Sequence, residues 1–264
     1  MSPSPFVLVT PGATRGLALA LSRQFLRTTN MPVFATTRIK GDLGGVRKTI
    51  LHGIEDVKSK NLNLLRLDLT CEDSIASAAE HLASTLKEQQ LNNPYIHSAF
   101  LTGGVLEPEK RPADLDWDAL TKTFQINVIS HLLIIKHFSR FLPNPAKHRL
   151  DRPAKWVHIS ARVGSIEDNL RGGWYSYRSS KAALNQVVKT FDLHLQQHKT
   201  PAICVALHPG TMKTDLSKDF LNLVPNDRIF DTQDAAANVM NVVENLTTSQ
   251  RGQFWDWSGQ RIPW

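Results

Sequence analysis

Two residues of one short segment could perform acid–base chemistry together. Tyr177 and Lys181 are four positions apart, a spacing that places both side chains on one face of a helix, one turn from each other. A neutral phenol exchanges protons poorly near pH 7, but a neighbouring cation favours the phenolate and lowers the phenol's pKa. The pair therefore predicts a phenol that donates and accepts protons with the help of the lysine.

A glycine turn near the N-terminus could hold a nucleotide next to such a pair. The apolar run at 6–10 leads into a turn that contains Gly12 and Gly16, and a helical pattern follows at 16–28. Strand, glycine turn and helix in this order let the backbone approach a pyrophosphate, whose charge is met by amide N–H groups and the helix dipole. Because the turn precedes a Tyr-x-x-x-Lys pair in the same chain, the two signals reinforce each other.

Apolar, strand-like runs alternate with helical patterns along the chain. We expect strands at 6–10, 32–36, 63–67, 97–102, 155–159, 202–206 and 253–256. We expect helices at 16–28, 74–89, 117–141, 175–198 and 232–245. Asp73-Ser74 and Thr232 are candidate N-caps. This alternation predicts an α/β fold with a doubly wound, seven-stranded parallel sheet and helices on both faces.

Composition argues against several other classes of protein. The 264 residues are 41% hydrophobic and contain no Pro/Ser/Gly-rich linker, which suits one domain over 1–264. No apolar run reaches the roughly 18 residues of a membrane span, and the N-terminus lacks the features of a secretory signal. Cys71 and Cys204 give neither a metal spacing nor a disulfide framework, so we expect two buried thiols in a reducing compartment. We therefore expect a soluble, cytoplasmic protein that does not bind membranes.

The net charge of +7 does not by itself indicate nucleic acid binding. The basic residues are scattered, without the clustered stripe or the interleaved aromatic residues of a nucleic-acid surface. An anionic cofactor and a solvated basic surface account for the charge, and no nucleic-acid partner is expected.

The motifs resemble those of one enzyme family. The segment 172–185, GGWYSYRSSKAALN, together with the glycine turn, is similar to the classical short-chain dehydrogenases/reductases, and in particular to the carbonyl reductases related to insect sniffer and bacterial C-factor. The resemblance covers 6–264. It implies a single Rossmann-fold domain that reduces a ketone or aldehyde, or oxidises the matching alcohol, by hydride transfer. It also implies a possible homodimer or homotetramer.

The resemblance assigns catalytic roles to four positions. Tyr177 would donate its proton to the carbonyl oxygen, and Lys181 would hold the ribose hydroxyls and lower the phenol's pKa. Asn127 would position a water that relays protons to the lysine. The fourth residue, a serine that bonds the substrate oxygen, is replaced by Ala161. Either Ser160 or Ser165 could supply this bond instead, and the sequence does not decide between them.

The cofactor is expected to be NADP(H). Arg38 follows the second strand, where a protein that binds NAD usually carries an acidic residue for the ribose 2′-hydroxyl. Arg15 lies in the glycine turn, and two guanidinium groups suit a 2′-phosphate better than a hydroxyl. In the family Asp68 would bond the adenine, and the segment 209–214 would hold the carboxamide and pyrophosphate. The full set of expected cofactor contacts is Gly12, Thr14, Arg15, Gly16, Leu17, Arg38, Asp68, Leu69, Gly103, Asn127, Tyr177, Lys181, Pro209, Gly210, Thr211, Met212 and Thr214.

The chain departs from the family pattern around the cofactor. Ala18 replaces the third glycine of the turn, where alanine is tolerated. The segment 101–104, Leu-Thr-Gly-Gly, replaces the usual Asn-Asn-Ala-Gly and loses the asparagines that stabilise the central sheet.

A segment after the sixth strand is expected to cover the substrate. This lid spans about 216–231, and its apolar residues are Phe220, Leu221, Leu223 and Phe230. They favour a small to medium, hydrophobic carbonyl or alcohol as substrate. The alternative function is a protein that binds NADP(H) as a sensor or signal and catalyses no reaction, since fold does not fix function and Ala161 departs from the catalytic pattern.

Overall fold

The computed structural model describes residues 2–223, 225 and 229–264, apart from the side chains of Val57 and Leu223. Its strands are β1 (Pro5–Thr10), β2 (Val33–Thr37), β3 (Leu62–Arg66), β4 (Tyr95–Leu101), β5 (Ala154–Ile159), β6 (Ala202–His208), β7 (Thr211–Met212), β8 (Ile229–Phe230), β9 (Phe254–Asp256) and β10 (Arg261–Ile262). The main sheet has the order β10-β9-β6-β5-β4-β1-β2-β3. Seven of its strands are parallel, which confirms the predicted fold. The short β10 adds an antiparallel edge strand that the sequence reading did not include.

The strand order reverses beside β1, in the middle of the sheet, and this predicts a ligand crevice at the carboxyl ends of the central strands. The chain moves outward from β1 through β2 to β3, then crosses back to β4 on the other side of β1. In such sheets ligands bind where the order reverses, beyond the carboxyl ends of the strands. The loops after β1 and β4 therefore face the expected cofactor site.

Helices cover both faces of the sheet. They are α1 (Gly16–Thr28), α2 (Leu43–Leu51), α3 (Asp56–Ser59), α4 (Glu72–Glu88), α5 (Trp117–Phe124), α6 (Ser130–Phe138), α7 (Tyr175–Gln197) and α8 (Thr232–Asn245). Side chains of β1 alternate between two buried clusters. Val7 and Val9 pack with α1 and α8, whereas Phe6 and Leu8 pack with α4, α6 and α7.

Some local predictions were wrong. The N-cap of α4 is Cys71, which is exposed, and α8 begins at Thr232 after Asp231 rather than being capped by Thr232. Ser74 is used elsewhere, because its hydroxyl accepts a hydrogen bond from the Asp68 N–H at 3.0 Å. Cys204 is buried, as expected.

The predicted helix at 117–141 is divided into segments. A π-helical turn, Gln125–Ile129, separates α5 from α6, and Ser139–Phe141 is 3₁₀-helical. Such turns place one extra residue in the helix and are frequent at functional sites. The π-helical turn contains Asn127.

Over the residues that the structure describes, no helix is both long enough and apolar enough to cross a membrane.

Candidate active site

Helix α7 places Tyr177 and Lys181 in the interior, at the carboxyl edge of the sheet. Tyr177 is 7% exposed and Lys181 is 2% exposed. The Lys181 ammonium donates a hydrogen bond to the Ile159 carbonyl at the end of β5, at 3.0 Å, and lies 5.8 Å from the centre of the Tyr177 ring. The two side chains therefore share one buried face of α7, as their spacing predicts.

Burial sets the protonation of both groups. It lowers the pKa of Lys181 to about 8, because a buried ammonium loses its hydration. Burial raises the pKa of Tyr177, so the phenol is neutral at physiological pH. The sequence reading expected the lysine to lower this pKa, whereas in the structure the dominant effect is burial and it acts in the opposite direction. A neutral phenol is the form that can donate a proton.

The side chain of Asn127, in the π-helical turn, forms hydrogen bonds with the loop after β4 and with α7. Its side-chain oxygen accepts from the Val105 N–H at 2.8 Å, and its Nδ2 donates to the Val105 carbonyl at 3.0 Å. The same Nδ2 also lies 2.9 Å from the Ser180 hydroxyl. A methyl group built on Gly104 would lie 3.3 Å from Lys181 Nζ and 3.7 Å from Asn127 Oδ1. Asn127, Lys181 and Gly104 therefore form one cluster.

Ser160 and Ser165 are both buried, and each already donates its proton to a protein acceptor. The Ser160 hydroxyl donates to Asn185 Oδ1 at 2.7 Å. The Ser165 hydroxyl donates to the carbonyl of Trp264 at 3.3 Å and accepts from the Asp168 N–H at 3.1 Å. Ala161 is the second residue after β5 and immediately precedes the 3₁₀ turn Arg162–Gly164.

The aromatic ring of Trp174 packs between the Tyr177 ring and Phe220. Trp174 immediately precedes α7 in a left-handed backbone conformation, with φ +50°. Its ring lies 6.2 Å from the Tyr177 ring and 4.8 Å from the Phe220 ring, both edge-on. Phe230 packs instead on Trp257, at 4.6 Å. The Leu223 side chain and residues 224 and 226–228 of the lid segment lie outside the described residues, and the lid stays a prediction.

The glycine turn has the backbone that a pyrophosphate site needs. Gly12 and Gly16 have positive φ values of +82° and +56°, and a methyl group built on Gly12 would contact nothing within 4 Å. Helix α1 has no side-chain N-cap and no acidic residue in its first turn. Its first N–H groups and the positive end of its dipole are thus available to an anion. Thr14 lies within this turn, and Leu17 is buried in the first turn of α1.

Other expected cofactor residues meet this turn from the neighbouring loops. A methyl group on Gly16 would lie 3.9 Å from Thr214, which brings the segment after β6 next to α1. A methyl group built on Gly103 would lie 2.8 Å from the Leu69 side chain, so the loops after β3 and β4 are in close contact. The loops after β1 and β6, and those after β3 and β4, thus lie close together in pairs, and glycines at these positions let the backbone approach a dinucleotide.

The segment 209–214 bends sharply after β6. Gly210 has φ +81°, and a methyl group there would lie 2.6 Å from the Phe230 ring. Thr211 and Met212 form β7, which pairs with β8. Pro209 is buried, whereas Thr211 and Met212 are half-buried. Both φ and the close approach of Phe230 therefore require glycine at position 210.

The two arginines are exposed: Arg15 immediately precedes α1, and Arg38 immediately follows β2. Arg15 makes an ion pair with Asp215 at 3.6 Å, and both side chains are mostly exposed. Arg38 follows β2 and contributes to the lowered pKa of the Asp68 carboxyl. The main cause of that lowering is the hydrogen bonds that Asp68 accepts from the N–H and hydroxyl of Thr70. One oxygen of Asp68 is therefore engaged in its own loop.

Sequence reasoning missed residues that orient the start of α7. The Glu109 carbonyl accepts from the Trp174 N–H at 2.7 Å. Arg178 donates to the carbonyls of Gly172 and Gly173 at 3.0 Å and to that of Val163 at 3.3 Å. Arg178 lies inside the motif that carried the family resemblance, but Glu109 has no local signal because it is 65 residues away from Trp174.

Fold and site together define an oxidoreductase of the doubly wound α/β class. The family model for short chain dehydrogenases matches residues 5–222, and the chain belongs to that family.

Individual relatives agree with this assignment. The chain is 31% identical over 255 residues to a protein of Rhodococcus sp. (strain AD45), 1-hydroxy-2-glutathionyl-2-methyl-3-butene dehydrogenase, covering 96% of this chain and 97% of that protein. Among solved structures, an NADPH-bound carbonyl reductase from chicken fatty liver has a TM-score of 0.80 and 26% identity, covering 100% of both chains. The carbonyl reductase Sniffer of D. melanogaster shares the fold, with a TM-score of 0.81, 23% identity and 100% coverage of both chains.

Proposed function

We propose that this protein is an NADP(H)-dependent reductase of hydrophobic ketones or aldehydes, which can also oxidise the matching alcohols. The observation that carries the proposal is the buried pair of Tyr177 and Lys181 beside Gly104, at the crevice where the strand order reverses. The similar NADPH-bound carbonyl reductase from chicken supports both the cofactor and the substrate class.

The side chains of the site carry out the proton transfer, and the hydride comes from the bound NADPH. Tyr177 donates the phenolic proton to the carbonyl oxygen, since burial keeps the phenol neutral. Lys181, fixed by the Ile159 carbonyl, would hold the ribose hydroxyls of the cofactor. Asn127 fixes the adjoining loop through Val105. Trp174, which packs against Phe220, provides an apolar, aromatic surface next to the phenol, and this suits a hydrophobic carbonyl substrate.

The test is turnover by the purified protein. It is mixed with NADPH and a panel of aromatic aldehydes, diketones and quinones, and absorbance is followed at the reduced nicotinamide band, with NADH as the control. Turnover with NADPH and little with NADH is the expected result. Tight NADPH binding without turnover on any panel member would contradict the proposed activity and favour the sensor function.

The pH dependence of kcat/KM is expected to report Lys181. Since its pKa is lowered to about 8, the ammonium is charged below that pH and neutral above it. The kcat/KM for reduction, which reports the free enzyme, should be flat at lower pH and fall above about pH 8. Tyr177 should not add a second decline near this pH, because its own pKa is raised. The measurement is kcat/KM from pH 6 to 10; a flat profile over that range would refute the assignment.

Of the two serines, we propose Ser165 as the donor to the substrate oxygen. A hydroxyl has one proton, so either serine must release its present acceptor, and the 3.3 Å bond of Ser165 is weaker than the 2.7 Å bond of Ser160. Ser165→Ala should lower kcat about 10²- to 10³-fold with little change in the Kd of NADPH. Ser160→Ala is the matched control, and the reverse order of effects would assign the role to Ser160.

A non-catalytic NADP(H) sensor is the second candidate. It is favoured by Ala161 and by the engagement of both serine hydroxyls with protein acceptors. This function predicts NADPH binding without turnover in the wild-type protein.

A further inference from the structure

Two buried histidines form a continuous hydrogen-bonded chain beneath the active site. His131 on α6 and His158 on β5 are 1% and 0% exposed, and their Nδ1 atoms lie 2.8 Å apart. Trp156 Nε1 lies 3.0 Å from His158 Nε2, and His131 Nε2 lies 3.2 Å from the Gly103 carbonyl oxygen. We call these three side chains, Trp156, His158 and His131, the histidine chain.

The indole N–H of Trp156 determines which atom donates in each hydrogen bond of the histidine chain. An indole N–H can only donate, so His158 Nε2 accepts and its proton is on Nδ1. That Nδ1–H donates to His131 Nδ1, which leaves the His131 proton on Nε2. The Nε2–H then donates to the carbonyl of Gly103. One tautomer of each ring satisfies all three bonds.

Both rings must be neutral for the chain to exist. A proton added to either imidazole would place two N–H groups against each other at one of the bonds. Burial, together with the positive charge of Lys181, lowers the pKa of His131 to about 3. Burial, with the neighbouring His131 and Lys181, also lowers the pKa of His158 well below its usual value. Both rings are therefore neutral near physiological pH, and the chain is intact there.

The histidine chain ends where the cofactor is expected to lie. Gly103 contacts Leu69 so closely that a methyl group would be 2.8 Å away, and Gly104 borders Lys181 Nζ. Asn127 holds the next residue, Val105, by its N–H and carbonyl. The segment 103–105 is thus held by His131 at one end and by Asn127 at the other.

We propose that His131, oriented by His158 and Trp156, is a positioning residue that fixes the Gly103–Gly104 peptide against Lys181 and the cofactor. It stabilises the segment that lacks the asparagines expected after the fourth strand. The role rests on the proposed NADP(H) reductase function, since it concerns the geometry of that site.

The test compares two buried histidines. His131→Phe removes the donor to Gly103, and His131→Gln retains an amide donor and an acceptor. The matched control is His148→Phe: His148 is also buried and bonds the Asn93 carbonyl and the backbone of Asn144, but it lies outside the site. All variants are assayed for kcat, KM, the Kd of NADPH and thermal stability.

We expect His131→Phe to lower kcat and to raise the Kd of NADPH, each by about tenfold, and His131→Gln to restore much of both. His148→Phe should lower the melting temperature with little change in kcat or Kd. A purely structural role would be shown if both Phe variants lost stability and neither changed kcat or Kd.

A spectroscopic measurement keeps the proposal testable if His131→Phe does not fold. Nitrogen NMR of the wild-type protein should show the proton of His158 on Nδ1 and that of His131 on Nε2, unchanged between pH 6 and 8. A proton on His131 Nδ1, or titration of either ring in this range, would overturn the proposal. This readout is independent of turnover, so absence of NADPH binding by the wild type would refute the proposed function separately.

Discussion

Tyr177→Phe is expected to abolish carbonyl reduction while leaving NADPH binding nearly intact. The substitution removes the phenolic O–H that donates the proton, but keeps a ring of the same size against Trp174. Loss of the general acid and of its hydrogen bond to the developing oxyanion should lower kcat roughly 10³- to 10⁴-fold. The measurement is single-turnover reduction at saturating NADPH, with the Kd of NADPH determined from nicotinamide fluorescence.

Tyr175→Phe is the matched control for this experiment. The substitution also removes a phenolic hydroxyl, two positions before Tyr177. The Tyr175 side chain, however, is on another face of α7 and is 41% exposed. Its kcat should be within about twofold of the wild-type value, because exposed substitutions away from the site have small effects. Retention of kcat by Tyr177→Phe would mean that the proton comes from another group and would refute the proposed mechanism.

The features that could be predicted from the sequence depend on residues only a few positions apart. The bounds of α1 at 16–28 and of α8 at 232–245 agreed with the sequence reading to the residue. The common face of Tyr177 and Lys181 follows from helical periodicity alone, and the glycine turn follows from Gly12 and Gly16.

Features that depend on contacts between distant segments could not be predicted in this way. His131 and His158 are 27 positions apart, and their bond requires α6 to pack on β5 in a particular register. The raised pKa of Tyr177 depends on burial by the whole fold, which outweighs the local effect of the lysine. The π-helical turn around Asn127 likewise interrupts a helical pattern that the sequence shows as continuous.

Replacing both Arg15 and Arg38 by alanine is expected to remove the preference for NADPH over NADH. Each guanidinium can make charge-assisted hydrogen bonds to a 2′-phosphate, worth about 1.5–3 kcal/mol, or roughly 10- to 100-fold in affinity. The competing ion pair of Arg15 with Asp215 is exposed and long, at 3.6 Å, so it costs little to give up. Together the two substitutions should lower kcat/KM for NADPH about 10²- to 10⁴-fold, while kcat/KM for NADH changes little.

Arg27→Ala provides a control, because it removes one guanidinium from α1 at the end of the helix that is away from the glycine turn. Arg27 is exposed in the last turn of α1, about 18 Å along the helix from the glycine turn. Its effect on kcat/KM should be small for both cofactors, and this comparison separates a specific phosphate contact from the general attraction of a basic surface for an anion. An equal loss with NADPH and NADH in the double variant would show that the arginines support the fold or the pyrophosphate site rather than the 2′-phosphate. The ratio of the two kcat/KM values therefore tests the cofactor assignment directly, since a change in folding or in the chemical step affects both cofactors alike.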